Sequence, residues 1–168
     1  MIDLKKSLLV IVILAASLAA AGCDVLQKDA YDYMSEVRST ELQDESTNGV
    51  SLRDNSESVE KNLGKPKRIE KSDSVTHLSY GNDGLSITLD DDIVVEYQIN
   101  SKVYQTVKGI KVGSSKEEVI QQYGSNYYTN KEDKSYKRIG YFDKESNRHI
   151  EFFLKNNQVI YITVVDIS

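Results

Sequence analysis

A single thiol, two imidazoles and one run of three carboxylates are the side chains of this sequence with distinctive chemistry to offer. The thiol, Cys23, has no second cysteine to pair with, so it closes no disulfide within the chain. It stands where a leader runs out: Lys5 and Lys6, then the apolar stretch Leu8–Leu14, then small residues as far as Gly22. That order is the layout of a secretory signal peptide, and the apolar stretch is too short to span a bilayer comfortably. The imidazoles, His77 and His149, fall in expected strands opposite the neighbouring apolar residues. Neither has a cysteine or a second histidine at metal-ligand spacing, so both are expected on the surface. Asp90-Asp91-Asp92 lacks the glycine and distal glutamate of a calcium loop. It falls where a second, similar segment has Lys155-Asn156-Asn157, so a hairpin tip is the expectation. No Gly-x-Ser-x-Gly elbow, phosphate loop or His-Glu-x-x-His motif occurs. No catalytic residue, metal or cofactor is therefore assigned, and an enzyme is not expected.

The residues Ala20-Ala21-Gly22-Cys23 resemble a bacterial lipobox. The resemblance implies cleavage before Cys23 and acylation of its thiol, with the chain held at the outer face of a cell membrane by its lipid. Removing Lys5, Lys6 and Asp3 with residues 1–22 takes the formal net charge from −5 to −6. From Asp24 to Glu60 there are ten acids against three bases. No basic field exists for a nucleic acid, which is excluded as a partner. Residues 23–50 read as the lipidated N-terminus and a flexible tether, because Ser39–Gly49 carries one large apolar residue, Leu42. Such a tether has a reach of roughly 25–30 Å.

The remainder contains one unit twice, over residues 51–107 and 108–168. Each begins with a short helix: Asp54 or Asn55 caps the first, Ser114 or Ser115 the second, and Gly64 and Gly124 end them. Ser115 and Glu118 have capping-box spacing, and the glycines suit a left-handed C-terminal cap. Three strands are expected after each helix, near Val75–Tyr80, Leu85–Leu89 and Ile93–Ile99, then Tyr136–Phe142, His149–Leu154 and Val159–Val165. Alternation places Leu85, Ile87, Leu89, Val95 and Tyr97 on a buried face, matched by Ile150, Phe152, Leu154, Ile160 and Ile162. The predicted fold class is α+β: two tandem helix-plus-three-strand antiparallel repeats.

The stretch Gly109–Gly124, GIKVGSSKEEVIQQYG, resembles the helix-start motif of the SmpA/OmlA (BamE-like) small lipoproteins. The tandem plan is similar to the β-lactamase inhibitor protein and to uncharacterised Bacillus-type lipoproteins with this motif. The resemblance implies a module that binds other proteins without catalysis. It carries over no binding residue, since this chain lacks the inhibitor's disulfides and tryptophans.

Eleven tyrosines against three phenylalanines suit sheet edges and protein contacts alike. On the second unit's outer sheet face the alternation leaves Glu151, Phe153, Val159, Tyr161, Thr163 and Val165. Large apolar residues there need cover, either from the first unit or from a partner. Phe153 and Tyr161 are the candidate centre of a partner-binding face, with Tyr127, Tyr128 and Tyr136 at its rim. The expected function is a membrane-anchored extracytoplasmic module that inhibits or scaffolds an envelope or secreted protein. The alternative is a binder of cell-wall polysaccharide, with tyrosines stacking on sugar rings.

Overall fold

The computed structural model describes residues 30–131 and 136–168. Cys23 and the expected leader, 1–22, lie outside the described residues. A 3-10 turn at Tyr31–Tyr33 leads to a two-stranded hairpin, β1 (Ser46–Thr47) and β2 (Val50–Ser51). Helix α1 (Ser56–Leu63) precedes β3 (Arg68–Ser72), β4 (Val75–Tyr80), β5 (Leu85–Asp90) and β6 (Ile93–Ile99). Helix α2 (Lys116–Tyr123) precedes β7 (Tyr128–Lys131), β8 (Tyr136–Asp143), β9 (Arg148–Lys155) and β10 (Gln158–Asp166).

The expected α+β class is corrected: the fold is mostly β, and its centre is one eight-stranded antiparallel sheet ordered β3-β4-β5-β6-β10-β9-β8-β7. Four strands, not three, follow each helix. The unforeseen strands are the two edges. β3 reads RIEKS and is exposed at every position, so it has no buried alternation to betray it. β7 reads YTNK and is only four residues long. The two meanders join edge to edge through β6 and β10, with Ile99 opposite Ile162 and Tyr97 opposite Val164.

Local chemistry explains the helix limits. The Asn55 side chain accepts from Ser58 N at the start of α1, and Ser115 with Glu118 forms a reciprocal capping box on α2. Gly64 (φ 75, ψ −163) and Gly124 (φ 89, ψ −174) end the helices. That is a glycine-only extended region rather than the expected left-handed helical cap. The Asp91-Asp92 and Asn156-Asn157 tips both take positive φ at their two central residues, the requirement of a two-residue type I′ hairpin.

Each third strand of the predicted units carries a bulge at the same place. Pairing shifts at Thr88/Leu89 against β6 and at Val159/Tyr161 against β9, leaving Val95 and Ile160 as the extra residues. The bulges turn Val94 and Val159 into the core at 0% and 1% exposure. The expected inner positions Val95 and Ile160 are only half-buried. Both helices and the inner sheet face share a single apolar cluster that includes Val59, Val119, Tyr97 and Phe152.

The expected flexible tether is also corrected over its C-terminal part. Leu42 is 1% exposed; its N–H donates to Asp143 Oδ2 at 2.9 Å, and its carbonyl accepts from Arg148 Nη1 at 3.0 Å. Thr40 N donates to Phe142 O at 2.8 Å. Composition gave this segment one apolar anchor, but partners about a hundred residues away satisfy its backbone, and that offsets its ordering entropy.

Candidate functional site

Both helices lie on one side of the sheet, so its other face is built from the alternate residues of every strand. Because the halves meet edge to edge, these outer faces point the same way and do not cover one another. Cover from the other repeat, one of the two explanations for the apolar residues here, is thereby removed. The first half presents His77, Thr88, Ser86, Glu96 and Gln98 on this face, a polar surface. The second half is aromatic and divides into a sealed end and an open end.

At the sealed end Tyr128, Phe142, His149 and Glu151 are buried. The 3-10 turn covers them: Tyr33 stacks on Tyr128 with centroids 4.8 Å apart and planes 7° apart. His149 stacks on Phe142 at 4.2 Å. The Tyr128 hydroxyl donates to Glu151 Oε1 and stands 2.9 Å from His149 Nε2. Since that hydroxyl's proton is directed at the carboxylate, Nε2 must carry a proton and donate to the tyrosine oxygen. Burial, helped by the nearby Arg138 charge, brings the His149 pKa down to about 4. Burial and the Glu151 charge push the Tyr128 phenol far upward. The expectation of two surface histidines therefore holds for His77, which is exposed and touches Thr88 Oγ1 at 3.1 Å. It fails for His149, because the N-terminal segment closes over a strand position that alternation marks as outward.

At the open end Phe153 and Tyr161 are half-buried and stacked, with centroids 3.8 Å apart and planes at 18°. Cross-strand register sets this pair, since Tyr161 lies directly opposite Phe153. Arg138 lies opposite Phe153 on the other side, with its guanidinium carbon 5.4 Å from the ring centroid. It also reaches Glu151 Oε1 at 3.3 Å. Tyr136 and Lys155 continue the patch, with Lys155 Nζ 3.1 Å from the Tyr136 hydroxyl. Of the residues expected to make the site, Phe153, Tyr161 and Tyr136 come together. Tyr128 is buried at the sealed end, and Tyr127 lies on the opposite, helix-bearing face against Tyr141. Val159, expected outward, is in the core because of the bulge. Arg138 was not anticipated; its placement opposite Phe153 depends on strand register, which the sequence did not specify.

A cleft of ≈580 Å³ lies elsewhere, among Ser39, Glu41, Arg53, Asp143, Glu145 and Arg148. Its arginines hold chain segments together: Arg53 pairs with Asp166 at 2.6 Å, and Arg148 binds the carbonyls of Leu42 and Gln43. Asp143 accepts the N–H groups of Leu42, Glu145 and Ser146, which holds its carboxyl below the usual range against the opposing effect of burial. This cleft is a seam between the N-terminal segment and the β8–β9 turn.

No protein-family model matches the sequence, and no curated protein matches it. Among solved structures, an extracellular protein containing an SCP domain from Bacillus anthracis is similar with a TM-score of 0.49 and 14% identity. A cysteine-rich secretory protein from Staphylococcus aureus has a TM-score of 0.48 and 11% identity. In both cases the similarity covers 68% of this chain and 44% of the other, so the chain spans less than half of their length. A DUF4309 family protein from Bacillus subtilis has a TM-score of 0.40 and 12% identity, over 67% of this chain and 78% of that one.

Proposed function

We propose that this chain is a non-catalytic protein-binding module, anchored outside the cell through a lipid on Cys23, whose contact surface is the open end of the sheet around Phe153 and Tyr161. The stacked pair carries the reading. Two large aromatic rings sit half-exposed on a sheet face with an arginine beside them, the residue types that dominate protein interfaces. Two structural facts favour a protein over a polysaccharide. Tyr161 and Arg138 flank Phe153 on its two strand neighbours, so little of that ring is left for a sugar. The patch also has charge, from Arg138 and Lys155, to set orientation. Catalysis is disfavoured because His149 is sealed under the Tyr33 turn, away from any substrate. Whether the partner is inhibited or scaffolded depends on its identity.

The test is photo-cross-linking on intact cells from a reactive residue at position 161, with position 86 on the polar half of the same face as control. One discrete protein adduct at 161 and none at 86 is the expected result. Adducts to wall polymer at 161 would replace this reading with the polysaccharide one, and equal adducts at both positions would remove the site.

A further inference from the structure

Comparison of the two halves exposes a position that is filled in one and empty in the other. In the second half Tyr127 turns onto the helix face and packs on Tyr141, with centroids 6.0 Å apart at 59°. Lys116 Nζ lies 5.3 Å from the Tyr127 centroid, and Tyr141 donates its hydroxyl to Gly124 O at 2.9 Å.

Strand register fixes the first-half counterparts. Tyr80 pairs with Leu85 as Tyr141 pairs with Ile150, so Tyr80 corresponds to Tyr141. Arg68 pairs with Ser79 as Tyr128 pairs with Gly140, so the residue before Arg68, Lys67, corresponds to Tyr127. Lys67 supplies no ring: it is exposed and donates to Asn82 Oδ1 at 2.5 Å.

What remains beside α1 is a groove of ≈340 Å³. Its apolar lining includes Ile69, Leu78, Leu89 and Tyr80, and Glu60 and Lys71 also border it. Two of these residues are anomalous for a finished surface. Ile69 is 55% exposed on the edge strand. Tyr80 is 4% exposed, yet its buried hydroxyl has no hydrogen-bond partner. A buried hydroxyl left unpaired is unfavourable, and a ligand bringing an acceptor relieves it.

We propose that this groove binds an aromatic side chain of a partner polypeptide, which supplies in trans the ring that Tyr127 supplies in cis and gives the Tyr80 hydroxyl its acceptor. The second half defines the chemistry of the occupant: a tyrosine-sized ring lying on Tyr80 as Tyr127 lies on Tyr141. The bordering charges carry both signs, so they select neither an anion nor a cation. Among the described residues β3 pairs on one side only, with β4, the arrangement that an extended backbone can extend. This groove is on the face opposite Phe153 and Tyr161, so the two proposals stand or fall separately.

The experiment is a methyl-labelled NMR titration of the full chain with N-acetyl-L-tyrosinamide as probe. Saturable shifts at the Ile69, Leu78 and Leu89 methyls are expected. Lys67→Tyr, which imports the second-half ring, should weaken the probe at least tenfold and raise the melting temperature. Lys67→Gln, which removes the same charge without adding a ring, should do neither. Tyr80→Phe should weaken the probe several-fold while the shifts stay at the same methyls. Absence of shifts at these methyls, or equal binding by Lys67→Tyr and Lys67→Gln, overturns the proposal.

Discussion

Tyr123 donates its hydroxyl to Glu45 Oε2 at 2.7 Å, tying the last residue of α2 to the segment just before β1. Glu45 is 2% exposed, and its other oxygen accepts from Val107 N at 3.3 Å and Ser46 N at 3.2 Å. Burial raises its carboxyl pKa, and the bond from Tyr123 opposes that rise. Tyr123→Phe should therefore cost about 1–3 kcal/mol in urea unfolding. Glu45→Gln keeps an acceptor and removes a buried charge, so it should be neutral or stabilising at pH 7. A carboxyl whose folded pKa is raised contributes stability that is full below its unfolded pKa and is lost as pH rises through the folded one. Glu45→Gln should thus gain relative to wild type as pH is raised.

His149 works in the opposite direction. Its folded pKa is about 4, below the ordinary imidazole value of 6.5, so protonation favours unfolding. The stability held by the neutral imidazole is present above pH 6.5 and declines as pH falls toward 4. The full effect is on the order of 3 kcal/mol. Melting temperatures measured from pH 7.5 to 4.5 should fall more steeply for wild type than for His149→Gln.

The Tyr33–Tyr128 stack depends on the absence of a side chain at Gly140. A Cβ there would stand 2.4 Å from Tyr128 Cε1. Gly140→Ala should cost about 1–3 kcal/mol by overpacking. In a Tyr128→Ala background most of that cost should vanish, which a double-mutant cycle reads directly. Undiminished cost in that background would place the clash elsewhere.

Phe152 and Phe153 are sequence neighbours on opposite faces. Phe152 is 0% exposed beneath α2, and Phe152→Ala should cost about 3–5 kcal/mol. Phe153→Ser with Tyr161→Ser removes a half-exposed stacked pair, and the pairing itself is worth only about 0.5–1.5 kcal/mol beyond its buried area. Partner binding should be abolished while most of the thermal stability is kept. Comparable losses of melting temperature from both changes would mean that the aromatic pair serves the fold.

The parts of this molecule that the sequence made legible are those fixed by neighbours along the chain. Asn55 and Ser115 mark helix starts, and Asp91-Asp92 and Asn156-Asn157 mark hairpin tips, because caps and turns are local chemistry. What escaped depends on residues far apart in the chain. β3 and β7 are edges that bury one partner only, so Arg68, Glu70 and Lys71 leave no alternation. The bulges at Val95 and Ile160 exchange inner and outer residues without any local signal. Leu42 looked stranded because its partners, Asp143 and Arg148, come about a hundred residues later. At the candidate site alternation marked Phe153 and Tyr161 as outward, and Tyr136 was expected at their rim. The burial of His149 and Tyr128 required a covering turn that parity does not describe.

The last of the described strands, β10, occupies a middle position of the sheet, between β6 and β9. During synthesis, β3 to β6 emerge as a meander whose leading edge has nothing to pair with until residues 158–166 arrive. Nor can β9 complete its ladder before then. The fold is therefore closed late and all at once by a segment that neighbours both halves, and such long-range pairing is slow to form. Until that moment the β6 edge is open to other chains, so a nascent or clipped molecule lacking β10 is the form most exposed to aggregation.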